Sequence, residues 1–180
     1  MGVKTLLSLE QFEALPEDGN RHELNQGELV LMPPPKPEHD FIGDNVKTIL
    51  TMFVAGKRLG RIYAEAGYLL TREPEATVRQ PDVSFLSRGR VKRSGGYVEG
   101  SPELAIEIVS PSDSAEELNI KVKQYLAFGS QEVWVFYPKT RSVDVCKRDG
   151  AVTLSDSDTL TSDLFPGWSA RVADFFDFDY

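Results

Sequence analysis

The chain has 180 residues, of which 41% are apolar and 27% are charged, and this composition predicts one ordinary globular domain over residues 1–180. The net charge of −8 argues against a general nucleic-acid coat protein, because nonspecific affinity comes from lysines and arginines that meet phosphates, but it does not exclude a nuclease. The sequence contains no run of about 18 apolar residues and so predicts no membrane span. The single cysteine fits a reducing cytoplasm.

Residues 1–37 predict a short helix followed by a β-hairpin. Ser8 is a suitable N-cap for a helix over residues 8–15, which places its apolar residues on one face. The segment HELNQGELVLMPPP then predicts two strands around a turn at residues 25–27. Apolar residues recur at three- and four-residue steps over residues 38–59, which predicts a long helix, and Gly60 is predicted to end it.

The rest of the chain predicts strands, one helix and further strands. The strands are expected near residues 61–70, 81–86, 103–109, 132–137, 142–147 and 151–155, with a helix at 114–128. This order favours an α/β (α+β) fold, in which helices flank a mixed central β-sheet and a hairpin lies at the N-terminus. Residues 156–180 are expected to form a closing C-terminal arm whose aromatic side chains pack back on the sheet.

Two of the predicted strands each carry a carboxylate, Asp82 in QPDVSFL and Glu107 in SPELAIEIVS. Strand alternation places Leu104, Ile106 and Ile108 on one face of the second strand, and Glu107 on the other. An ionised carboxylate on a buried strand must be paired, protonated or bound to a metal. Neighbouring strands lie about 4.8 Å apart, so Asp82 and Glu107 could together hold one hard cation, Mg²⁺ or Mn²⁺.

The helix over residues 114–128 supplies a lysine to this group. With Leu118 at zero and about 100° per residue, Lys121 falls at about −60°, inside the apolar arc of the helix, whereas Lys123 falls at about 140°, outside it. A lysine within a core-facing stripe must reach water or find an anion. Lys121 is therefore predicted to reach the carboxylates, where it would orient an attacking water or neutralise charge on a phosphate. Lys123 is predicted to be a solvated neighbour and is kept as an auxiliary candidate.

Structural interpretations of the same residues remain open. Asp82 follows a proline and is often only a turn cap in that position, and Glu107 could form a structural ion pair with Lys121. The sequence does not separate an ion pair from a metal site. Basic residues also gather between the two carboxylate strands, where they could follow a nucleic-acid backbone or form a solvated loop. They are Arg88, Arg90, Lys92 and Arg93.

Several motifs follow one another in a specific order along nearly the whole chain. They are HELNQGELVLMPPP, His39 at the head of the long helix, PDVSFL, ELAIEIVSPSD, KVKQYLAFGSQEVWVFYP and LTSDLFPGW. In this order they resemble the Uma-two family of restriction-endonuclease-like proteins within the PD-(D/E)xK nuclease superfamily. The resemblance implies a core sheet flanked by helices, metal-dependent cleavage of DNA and often a homodimer.

By position, the resemblance makes Asp82 the aspartate of the PD element and Glu107 the acidic residue of the next strand. Val109 stands where the superfamily usually has lysine, and the lysine of this family lies instead on the following helix, at Lys121. Glu28 and His39 match family positions and are auxiliary candidates at the rim of the site, with a strand-face charge and a helix-start residue as their structural alternatives. Glu23 matches as well.

The expected function is therefore a Mg²⁺-dependent endonuclease that hydrolyses phosphodiester bonds of DNA in the cytoplasm, with RNA as a further possible substrate. The alternative is a nuclease-fold protein that no longer cuts and serves as a nucleic-acid-binding or assembly module. The acidic composition and the absent strand lysine favour that alternative.

Overall fold

The computed structural model describes residues 6–16, 18–32, 34, 36–91, 95–111 and 113–177. Lys92 and Arg93 of the basic segment lie outside these residues. The helices are α1 (Leu9–Glu13), α2 (Pro37–Lys57), α3 (Ala115–Ala127) and α4 (Ala173–Phe176). The strands are β1 (Arg21–Asn25), β2 (Glu28–Met32), β3 (Gly60–Ala64), β4 (Tyr68–Thr71), β5 (Thr77–Arg79), β6 (Val83–Ser87), β7 (Val98–Glu99), β8 (Leu104–Ile108), β9 (Glu132–Tyr137), β10 (Ser142–Lys147), β11 (Gly150–Leu154), β12 (Thr159–Thr161) and β13 (Ser169–Arg171).

A six-stranded mixed sheet forms the centre of the fold, in the order β11-β10-β9-β8-β6-β3. Its pairs are antiparallel except β8 and β9, which run parallel because α3 carries the chain back between them. The register of β6 against β8 pairs Val83 with Ile106 and Phe85 with Leu104. This register places the beginning of β6 beside the end of β8.

A second, five-stranded sheet contains the N-terminal hairpin, in the order β2-β1-β5-β4-β7. The hairpin strands pair over their full length, and β1 joins the rest of the sheet through Leu24, which lies opposite Val78 of β5. The predicted hairpin is present with its turn at Gln26 and Gly27, both of which have positive φ. The sequence predicted neither β5 nor β7, and so it did not predict that the hairpin belongs to a separate sheet.

The two faces of the central sheet bury different partners. One face packs against α2 and the C-terminal arm, and includes Leu104, Ile106 and Ile108 of β8 together with Phe165 and Phe175. The other face packs against α3 and the second sheet, through a cluster that includes Ala105 and Tyr125. The predicted alternation of β8 and the inward packing of the C-terminal aromatics are present. None of the helices in the described part of the chain is long and apolar enough to cross a bilayer.

Two of the predicted element boundaries were wrong. The chain over residues 61–70 forms β3 and β4, which belong to different sheets, and Glu65 between them has a φ of 52° that breaks the extended backbone. The long helix ends at Lys57, where Arg58 adopts the left-handed conformation expected here of glycine. Gly60 instead begins β3, and a side chain would not fit there, because a Cβ would lie 2.0 Å from the carbonyl oxygen of Leu86.

Candidate active site

A cleft opens where the hairpin of the second sheet, the start of α2, the end of β8 and the first turns of α3 meet. Its charged lining residues include Glu23, Asp82, Glu107 and Lys121, and its apolar ones include Val30, Met32 and Ile120. Three of these four charged side chains, Asp82, Glu107 and Lys121, are the residues predicted from the strands and the helix. The cleft therefore brings the predicted group together.

Asp82 and Glu107 face each other across two adjacent strands. Asp82 immediately precedes β6, and continuing the register of Val83 with Ile106 by one residue places it opposite Glu107. The backbone N–H of Ile108 donates a hydrogen bond of 2.8 Å to Asp82 Oδ2. Asp82 therefore contacts the neighbouring strand and does not serve as a cap of its own turn.

Two basic side chains fix the Asp82 carboxylate. Arg21 NH1 donates to Oδ1 at 3.3 Å, and His39 Nε2 lies 3.2 Å from Oδ2. Burial alone would raise the pKa of Asp82, but the hydrogen bond and charge of His39, with Lys121 and the Ile108 amide, outweigh it and lower that pKa. Burial in turn would lower the pKa of His39, and the contact with Asp82 raises it instead. The Asp82 carboxylate is therefore held ionised and in one orientation.

Lys121 reaches Glu107 from α3, as the helical angle predicted. Ser114 is the N-cap of α3, because its hydroxyl accepts hydrogen bonds from the backbone N–H groups of Glu116 and Glu117. Lys121 Nζ donates to Glu107 Oε2 at 2.8 Å, and the hydroxyl of Tyr125 donates to Oε1 at 2.7 Å. Both side chains of this ion pair are buried. The ion pair between Glu107 and Lys121, which the sequence left open as an alternative to a metal site, is therefore present in the structure.

The surroundings of Glu107 raise its pKa, whereas the surroundings of Asp82 lower its pKa. Burial raises the pKa of Glu107 to about 7; Asp82 and Glu23 add to this rise, and Lys121 opposes it. For Lys121, burial would lower the pKa, but the carboxylates of Glu107, Glu23 and Asp82 raise it. The lysine therefore keeps its charge, and burial makes Glu107 easier to protonate than Asp82.

Glu23 was not predicted as a site residue, although it matched the family pattern. Its side chain is buried on β1, and its Oε1 lies 3.3 Å from Lys121 Nζ. Arg79 NH1 donates to its Oε2 at 2.8 Å, and the backbone N–H of Gln80 donates to Oε1 at 2.9 Å. The available signal was alternation, because Arg21, Glu23 and Asn25 place three polar side chains on one face of a short strand.

The auxiliary candidates occupy different places. His39 lies in the cleft against Asp82, as described above. Glu28 begins β2 opposite Asn25 and is not among the side chains that line the cleft. Lys123 is exposed on the outer face of α3, which agrees with its angle on the helix. The structure therefore gathers His39 but neither Glu28 nor Lys123 with the central carboxylates.

The described part of the basic segment lies at the other end of β6. Arg88 is exposed just after the strand. Arg90 donates to the carbonyl oxygens of Ser101 and Glu99, and it lies 3.3 Å from the carboxylate of Glu103. Arg90 therefore ties a loop to the start of β8, and it does not contribute to the cleft.

The donor set of the cleft fits a small, hard cation that is bound through two carboxylates. Mg²⁺ commonly takes one or two protein carboxylates and completes its shell with water and phosphate oxygens. Asp82 and Glu107 are oxygen donors in register, which suits this mode, and no cluster of three or more Asp, Glu, His or Cys side chains in the described residues forms a fuller set of ligands. Three carboxylates (Glu23, Asp82, Glu107) already meet three permanent cations (Arg21, Arg79, Lys121), so an added cation would have to shift one of these pairs.

The model of the Uma2 family, described as "Putative restriction endonuclease", matches residues 9–173. The chain belongs to the Uma2 family. This membership supports nuclease function in general. It also confirms the resemblance drawn from the ordered motifs.

A solved structure shows the same fold. The crystal structure of a "putative nuclease belonging to DUF820" from Anabaena variabilis ATCC 29413 superposes with a TM-score of 0.84 at 21% sequence identity, over 94% of this chain and 97% of that one. The predicted mixed sheet flanked by helices is therefore confirmed. No curated protein matches the chain in sequence.

Proposed function

We propose that this Uma2 protein is a Mg²⁺-dependent endonuclease that hydrolyses phosphodiester bonds of DNA. One observation carries the proposal: Asp82 directly precedes β6, where the register continued by one residue places it opposite Glu107 of β8, and the Lys121 ammonium is 2.8 Å from Glu107. Two anionic oxygen donors with a fixed cation beside them suit a reaction in which negative charge develops on a phosphate. Family membership supports the same class of reaction.

Each side chain would have a separate task in this reaction. Asp82 and Glu107 would hold Mg²⁺, which when bound supplies positive charge that stabilises the phosphate oxygens. Lys121 would orient the attacking water or neutralise charge on the phosphate, since its ammonium keeps its proton in this site. His39 would hold the Asp82 carboxylate in its orientation through the 3.2 Å contact.

A second function is favoured by the charge balance of the cleft. Three acidic side chains and three basic ones are already paired in the cleft, and the whole chain carries a net charge of −8. A nuclease-fold protein that no longer cuts, and that acts as a nucleic-acid-binding or assembly module, would also have such a closed network. The homodimer implied by the family resemblance and the cytoplasmic location stay predictions.

Cleavage of supercoiled plasmid in Mg²⁺ or Mn²⁺ tests the proposal. The variant Asp82→Asn keeps the shape of the side chain but removes its charge, and we expect it to abolish nicking that the wild type shows. A labelled RNA of the same sequence, incubated in parallel, tests the choice of substrate. Cleavage that survives in Asp82→Asn would exclude the proposed site, and a wild type that binds but never cuts would favour the binding module.

A further inference from the structure

Lys121 is shared between carboxylates that belong to different sheets. Its Nζ lies 2.8 Å from Glu107 Oε2 on the central sheet and 3.3 Å from Glu23 Oε1 on the second sheet. The lysine side chain is only 9% exposed, so water offers it little alternative. An ammonium group has three protons to donate, and these two carboxylates are its ion-pair partners in the cleft.

The two partners differ in how firmly they are held. Glu23 accepts from Arg79 NH1 and from the backbone N–H of Gln80, and it is fully buried. The remaining hydrogen bond to Glu107 comes from Tyr125, which lies one turn from Lys121 on the same helix. Glu23 is therefore anchored by the second sheet independently of α3, whereas both donors of Glu107 come from α3.

A further contact fixes α3 against the anchored side. Arg79 Nε donates to Gln124 Oε1 at 2.8 Å, and Gln124 Nε2 donates to Asn25 Oδ1 at 2.8 Å. Gln124 follows Lys121 by three residues and so lies on the adjoining part of the helix surface. The Glu23–Arg79 pair thus holds both the helix and the lysine ammonium on the side of the second sheet.

We infer that Glu23 is a positioning residue, which retains Lys121 when Glu107 takes up a divalent cation. This inference rests on the proposed function of Asp82 and Glu107. An ammonium and a divalent cation repel each other when they share a carboxylate, so a bound cation weakens the contact of Lys121 with Glu107. Glu23 offers the nearest anion, and a lysine held there stays charged and close to the phosphate that the site is proposed to cleave.

The affinity for Mn²⁺ alone, measured as the rise in melting temperature with concentration, tests this role without any measurement of cleavage. The variant Glu23→Gln keeps the size of the side chain but, among the described residues, leaves Lys121 in an ion pair with Glu107 alone. We expect its affinity for Mn²⁺ to fall about tenfold or more, the size of effect that one nearby charge has on proton binding. The control Glu103→Gln removes another buried glutamate outside the cleft and should leave the affinity unchanged.

A double-mutant cycle separates positioning from simple loss of charge. With Lys121→Met as the background, Glu23→Gln should change the Mn²⁺ affinity by about twofold or less, because no lysine remains to be placed. An equal change in both backgrounds, or wild-type affinity in Glu23→Gln, would overturn the inference. If Lys121→Met does not fold, Lys121→Gln serves as the background, since it also removes the ammonium charge that Glu23 is proposed to hold. A wild type that shows no response to Mn²⁺ would instead refute the proposed function, and the positioning role with it.

Discussion

The two ends of β8 each bury a glutamate on the same face of the sheet, with different surroundings. Glu103, just before the strand, accepts from the hydroxyl of Ser87 at 2.6 Å and from its backbone N–H at 3.2 Å, and it meets one cation, Arg90. Glu107 meets a second carboxylate, Asp82, in register and a lysine that is shared with a third carboxylate. A buried strand carboxylate is therefore not by itself a site; the second carboxylate opposite it makes the difference.

Cleavage activity should show the largest difference between the two ends. Glu107→Gln removes one of the two proposed cation ligands, and we expect a loss on the order of 100-fold or more, comparable to the loss of one electrostatic contact in other active sites. Glu103→Gln, which changes a glutamate of similar burial, should cut plasmid at close to the wild-type rate. Equal losses in both variants would show that the comparison reports only on folding.

Stability should respond more to the loss of Lys121 than to the loss of Arg90. Lys121→Met leaves two buried carboxylates without their shared cation, and we expect a cost of about 3–5 kcal/mol in the free energy of unfolding at pH 8. Arg90→Met should cost about 1–2 kcal/mol, because the serine donors of Glu103 remain. Urea unfolding of both variants measures this, and a reversed order would contradict the burial argument.

The free energy of unfolding should depend on pH through Glu107, at the end of β8 that lies in the cleft. The pKa of Glu107 is raised from 4.5 to about 7 by burial, so the folded state binds this proton more tightly than the unfolded chain does. The stability contributed by Glu107 is therefore complete below pH 4.5 and is lost as the pH rises to about 7. His39, whose pKa is raised from 6.5 against Asp82 despite its burial, adds a loss in the same direction above pH 6.5.

Unfolding in urea at pH values between 4.5 and 8 would show this slope. In the variant Glu107→Gln, the fall in the free energy of unfolding between pH 4.5 and about 7 should disappear. The fall above pH 6.5 that His39 contributes should remain. A profile identical to that of the wild type would show that Glu107 carries no such proton.

The sequence predicted the parts of the site that follow from local periodicity. Alternation along β8 gave the face of Glu107, and the angle around α3 distinguished Lys121, which is buried, from Lys123, which is exposed. Both patterns depend on neighbours within one element. They required no knowledge of how the elements pack.

The missed parts depend on contacts between distant segments. Glu23 becomes a site residue only because β1 pairs with β5, a strand of three residues that no periodicity indicates, and Arg79 on that strand then anchors it. Residues 61–70 likewise divide into two strands at Glu65, which has a positive φ and whose backbone N–H donates to the carbonyl oxygen of the distant Asp82. Glu28 showed the same charge and hairpin context as Glu23, so the sequence did not indicate which of the two lies in the cleft.

The central claim is that Asp82 and Glu107 together hold one divalent cation, and anomalous diffraction from a crystal soaked in Mn²⁺ tests it most directly. The account predicts one peak about 2.1 Å from a carboxylate oxygen of each residue, as a small divalent cation requires. A peak bound by only one of them, or none at a concentration of Mn²⁺ that supports cleavage, would contradict it.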